Sequence, residues 1–136
     1  MIGPHEGREL DLMLAGEKSL AVFHDLYVDG DDIPEDIIPE RAFAPYVAQG
    51  KIMRLETIVT NARNGDRVKF VCFTLPGQEW RAQFYLWIEE SVFSKELKYN
   101  PAHDEIVGKL LGYSNEDIRD FLKKTRGKLL SENDKS

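Results

Sequence analysis

The stretch Ile52-Met53-Arg54-Leu55-Glu56-Thr57-Ile58-Val59-Thr60-Asn61-Ala62-Arg63-Asn64-Gly65-Asp66-Arg67-Val68-Lys69-Phe70-Val71-Cys72-Phe73-Thr74-Leu75 decides the fold class. In an extended chain, successive side chains point to opposite faces. Met53, Leu55, Thr57 and Val59 then share one face, and Arg54, Glu56 and Thr60 share the other with Ile58. That is the alternation of a half-buried, edge-like strand. Arg67 to Leu75 is apolar on both faces, as a central strand covered on both sides would be. Between the two runs lies Asn64-Gly65, a pair that accepts positive φ angles without strain and is the strongest short-range hairpin signal. An antiparallel pair over 52–75 is therefore the nucleus of the expected sheet.

Working upstream, Ser19 to Val28 reads as another strand. Leu20, Val22, Leu26 and Val28 fall on one face with His24, and Ala21, Phe23 and Tyr27 fall on the other with Asp25. Both faces being largely apolar, this strand is also expected to be central. Glu6 to Ala15 predicts a short helix stopped by Gly16, and Glu40 to Gln49 a second one stopped by Gly50, with Pro45 inside it. Asp29 to Glu40 is a loop broken by Gly30, Pro34 and Pro39, with one helical turn at Glu35 to Ile38.

Downstream, Pro76-Gly77 marks a turn. Trp80 to Glu90 has period-2 order, with Trp80, Ala82, Phe84, Leu86 and Ile88 on one face and Arg81, Gln83, Tyr85, Trp87 and Glu89 on the other. This predicts a fourth strand, against a helix-friendly content of Ala, Gln, Leu and Glu. His103 to Leu111 and Asn115 to Lys124 predict two helices parted by Gly112. Ser114 is placed to cap the second, and Ile118, Phe121 and Leu122 form its apolar side. The expected fold is α+β: a single domain over 1–127, a mostly antiparallel sheet of three to four strands packed with short helices, and a helical C-terminus. Residues 128–136 are expected to fray.

A chain of 136 residues can bury one full core. Its net charge of −6 argues against nucleic acid as a partner, since phosphate binding draws on a basic surface. The single cysteine, Cys72, cannot form a disulfide within the chain, and it sits in an apolar run where a thiol packs as a small hydrophobe. The N-terminal residues lack a basic segment followed by an apolar stretch, and no window approaches the roughly 18 apolar residues of a membrane span. No membrane association and a cytoplasmic location are expected.

The most unusual feature is charge asymmetry. Eleven carboxylates lie between Glu6 and Glu40, opposed only by Arg8 and Lys18. Asp29, Asp31, Asp32, Glu35 and Asp36 concentrate this charge in one loop. A calcium loop beginning at Asp29 would need an oxygen ligand at its fifth position and glycine at its sixth, where the chain has Ile33 and Pro34. No metal site or other cofactor is expected. His5, His24 and His103 are isolated from one another, and a zinc deaminase pattern at His103 would need a later cysteine pair. Phosphate-binding glycine loops and a nucleophile elbow are absent from the sequence.

These features predict a small, non-enzymatic protein that acts by binding another protein, of the regulator, inhibitor, immunity or mobile-element accessory type. Its contacts would be Asp29, Asp31, Asp32, Glu35 and Asp36, with Tyr85 and Trp87 as aromatic anchors. The alternative is a small-molecule-binding domain or minor enzyme with a pocket between sheet and helices, using His24, Asp25 and Arg81. A further alternative is a structural subunit or a homodimer.

Overall fold

The structure, a computed structural model, describes residues 7–94, 101–112, 114 and 116. The order of elements is α1 (Glu9–Leu14), β1 (Leu20–Leu26), α2 (Glu40–Ala48), β2 (Met53–Thr60), β3 (Arg67–Thr74), α3 (Glu79–Phe93) and α4 (Pro101–Leu111). The three strands form one antiparallel sheet in the order β1-β3-β2. The α+β class and the antiparallel sheet are as the sequence predicts. The expected helix at Asn115 to Lys124 and the tail from Lys128 lie outside the described residues.

β3 is the central strand. Thr74 pairs with Leu20 of β1 on one side and with Met53 of β2 on the other, and the register runs down to Val68 opposite Leu26 and Val59. Strand alternation sends Val68, Phe70 and Cys72 to one face and Val71 and Phe73 to the other. Both sets are buried, because helices cover both faces.

On the first face, Leu20, Val59, Val68, Phe70 and Cys72 pack with Ala82, Tyr85 and Leu86 of α3 and Leu110 and Leu111 of α4. On the second, Ala21, Val71 and Phe73 pack with Met13 of α1, Phe43 of α2, Ile38 and Ile52. The Phe43 and Phe73 rings stack 4.0 Å apart, and Phe23 meets both edge-on at 5.9 and 6.0 Å. With Phe73 fully enclosed, its truncation to Ala should cost about 3–5 kcal/mol.

The 52–75 hairpin forms, but through a longer loop than a two-residue reversal. Asn61 N–H donates to Asp66 O, and Gly65 N–H donates to Asn61 O. Gly65 has φ 79°, a left-handed conformation that glycine adopts without a Cβ penalty. The Asn61 and Asn64 side chains accept the N–H groups of Arg63 and Asp66, each stitching its own local turn.

Two expectations are corrected. β1 is an edge strand, not a central one. Its apolar residues on both faces reflect the two helical layers that cover Leu20 and Ala21, and the cover ends before Leu26, which is 57% exposed. The second correction is larger: Trp80 to Glu90 is not a strand but the body of the 15-residue helix α3. No turn residue interrupts it after Gly77, which gives a length ordinary for a helix and excessive for a strand. Ala82, Tyr85, Leu86 and Phe93 recur at helical spacing and supply the sheet-facing side.

Candidate functional site

α3 lays one side on the sheet, and part of its opposite side points outward, while Ile88 and Ser91 beside that part are buried. Trp80, Phe84 and Trp87, at spacings of four and three, line the outward part. They are 52%, 42% and 55% exposed. Trp80 and Trp87 are the chain's only two tryptophans. Tryptophan and phenylalanine are highly buried on average, so two tryptophans and a phenylalanine in one exposed row form a distinct apolar surface.

The row is held in place. Phe84 and Trp87 stack at 6.0 Å with 21° between their planes. The Arg81 guanidinium lies 4.7 Å over the Trp80 ring. The same guanidinium donates to Gln78 Oε1 at 2.8 Å and to the carbonyls of Lys109 and Leu110 at 3.4 and 3.3 Å, satisfying the C-terminal end of α4. The first turn of α3, the last turn of α4 and the Trp80 ring therefore form one unit. Nearby, the buried Lys18 donates its Nζ to Leu111 O at 2.8 Å, and burial pulls its pKa down to about 8.

The residues expected to act as sites are dispersed. Tyr85, expected beside Trp87, is only 4% exposed and packs edge-on against Phe70, because helical geometry turns it toward the sheet. Trp87 is exposed, and its companions are Trp80 and Phe84. Sequence reasoning missed that pairing because it placed the segment in a strand; the signal available was the 80, 84, 87 spacing.

The acidic loop is partly structural. Asp29 pairs with Arg67 at 2.9 Å, and the hydrogen bond with Arg67 holds its carboxyl below the usual range. Glu35 accepts the N–H groups of Arg41 and Ala42 with its two oxygens, at 2.8 and 3.1 Å. It thereby satisfies the α2 N-terminus, where Pro39 brings no capping side chain. Asp31, Asp32 and Asp36 are exposed.

The small-molecule candidates do not converge. His24 stacks on Phe70 on the α3 face of the sheet, Asp25 falls on the opposite face, and Arg81 is committed to Trp80 and α4. His5 lies outside the described residues. Cys72 is fully buried, and burial pushes its thiol up to about 12, which disqualifies it as a nucleophile at neutral pH. Glu89, on the inner side of α3, is raised to about 7 by burial and by the neighbouring Asp104. Among the described residues no group of three or more His, Cys, Asp or Glu side chains is placed to hold a metal ion, and no helix is long and apolar enough to cross a membrane.

Comparison with known proteins adds no further constraint: the chain matches no family model, no curated protein and no solved structure.

Proposed function

We propose that this domain works by binding protein, and that the outward face of α3 is the surface it uses. The observation that carries this is the exposed row Trp80, Phe84 and Trp87 on a helix whose other side is fixed to the sheet. Tryptophan and arginine are the residues most often found as binding anchors, since each buries a large area for few rotatable bonds or brings directed donors. Arg81 and Gln78 hold the row before any partner arrives, which lowers the entropy lost on docking.

This places the contact on an aromatic face and gives the acidic loop a lesser part. Two of its five carboxylates already serve internal contacts, and Asp31, Asp32 and Asp36 are left to influence the rate of approach more than affinity.

The test is retention on immobilised protein. Wild type and a Trp80→Ala/Trp87→Ala variant, each shown to be folded by circular dichroism, are exposed to cell lysate and to pure soluble chain. Binding through α3 predicts stoichiometric retention by wild type in at least one arm and its loss in the variant. Equal retention by both removes α3 as the surface, and no retention by wild type in either arm removes the binding function.

A further inference from the structure

We propose that the occupant of the α3 face is a second copy of this chain, packed as a two-fold dimer with the two α3 helices antiparallel. This rests on the reading of the outward face of α3 as a docking surface. A two-fold interface must be self-complementary, because each patch meets its own copy. The α3 row satisfies this condition. Phe84 sits near the middle, with Trp80 four residues before it and Trp87 three after. Antiparallel packing about Phe84 sets Phe84 on its own copy, Trp80 against Trp87 of the second copy, and Trp87 against Trp80. Every large aromatic side chain then meets another, in the ring–ring contact such side chains favour.

The flanking charges fit the same arrangement. A two-fold axis lying across the helices brings each rim of the row onto the same rim of the second copy. Glu90 and its copy are then 12 residues apart along the axis, about 18 Å at the helical rise, well beyond the screening length in physiological salt. Arg81 and its copy are six residues apart, about 9 Å, with each guanidinium spread over Trp80. Of the described α3 side chains, exposed Gln83 is the polar one nearest the two-fold axis; it is uncharged and lies within about 3 Å along the axis of its own copy. Among these α3 side chains no like charges are pressed together.

The area sets the strength. Each aromatic side chain can bury about 150–250 Å² and about half of that is exposed here, so the six rings of two copies bury about 450–750 Å², to which the side chains at their rims add. That is the small end of interface sizes, so the dimer is expected to be weak and to form reversibly as concentration rises.

Sedimentation equilibrium of the full chain over a wide concentration range tests this, with tryptophan emission recorded on the same samples. Because both tryptophans lie in the row, emission reports on this surface alone. Two variants accompany wild type. Trp87→Glu breaks the contact directly, and Gln83→Glu leaves every aromatic in place while setting two carboxylates face to face at the axis. The expected result is a mass that doubles with concentration, a blue shift of emission over the same range, and monomer in both variants at every concentration. Monomeric wild type with solvent-exposed emission throughout would overturn the second copy and leave the docking face standing. Monomer with shielded emission would overturn both, since the row would be covered by its own chain. A dimer that persists in both variants would overturn the proposal by placing the contact elsewhere.

Discussion

Arg81 holds Trp80 from above while its guanidinium also accepts the task of closing α4: the ring centroid is 4.7 Å away, and the Leu110 carbonyl is 3.3 Å from Nη1. One side chain thus links the exposed row to the interior helix pair. Arg81→Ala should cost about 1–2 kcal/mol, combining a cation–π contact with hydrogen bonds to carbonyls. Arg81→Lys should not restore it, because an ammonium lacks the planar fork that reaches ring and carbonyls together. Urea unfolding of the three proteins provides the measurement, and full recovery by lysine would show that charge alone is what matters.

Glu89 gives the fold a pH signature. Its folded pKa of about 7 lies above the ordinary 4.5, raised by burial and by Asp104. Below about 4.5 the group is neutral whether folded or not; as pH rises through 7 the folded protein must ionise a buried carboxyl, so this contribution to stability is lost between those values. Glu89→Gln should remove that loss and stabilise the protein by about 2–3 kcal/mol at pH 8, with little effect at pH 4. Unfolding free energies across pH 4 to 8 check this, and parallel curves for both proteins would contradict it.

Glu35 and its neighbours in the acidic loop should separate cleanly. Glu35→Ala removes the carboxylate that accepts two N–H groups at the start of α2 and should cost about 1 kcal/mol or more. Asp31→Asn, Asp32→Asn and Asp36→Asn alter exposed side chains and should each stay within about 0.5 kcal/mol of wild type. Thermal unfolding of the four single variants gives the comparison.

Thr74 is the position where polar chemistry is spent without return. Its hydroxyl is buried with no hydrogen-bond partner among the described residues, at the point where β3 is paired on both sides. Thr74→Val keeps the β-branched shape and removes the unsatisfied group, so it should stabilise the protein by about 1–2 kcal/mol. Denaturant unfolding measures it, and a loss of stability would mean the hydroxyl has a partner.

The sheet was legible from 52–75 because two local signals agreed there, alternation over 53–60 and a glycine-containing loop at 61–66. α4 was legible because Gly112 stops it with φ 81°. α3 was not, for a physical reason. A helix with one side on the sheet and aromatic residues on the other loses the polar face that marks an amphipathic helix, and its apolar positions satisfy a strand pattern by coincidence. The misplaced period carried the site with it: Tyr85 was paired with Trp87, whereas a helix pairs Trp87 with Phe84 and Trp80. Strand position was also beyond reach for β1. Leu20 and Ala21 have the burial of a central strand because helices cover the sheet, and burial by layers does not reveal which edge is open. Lys18, buried against the end of α4, gave no local signal, because its partner Leu111 lies 93 residues away.

The most direct test of the outward row is acrylamide quenching of tryptophan fluorescence in dilute protein, using Trp80→Phe and Trp87→Phe so that each variant keeps one tryptophan. With exposures of 52% and 55%, both tryptophans should be quenched to a similar extent, approaching that of the urea-unfolded chain. Strong shielding of either one, and above all one shielded while the other is open as opposite faces of a strand would give, would contradict the placement of Trp80 and Trp87 on a shared, open face of α3.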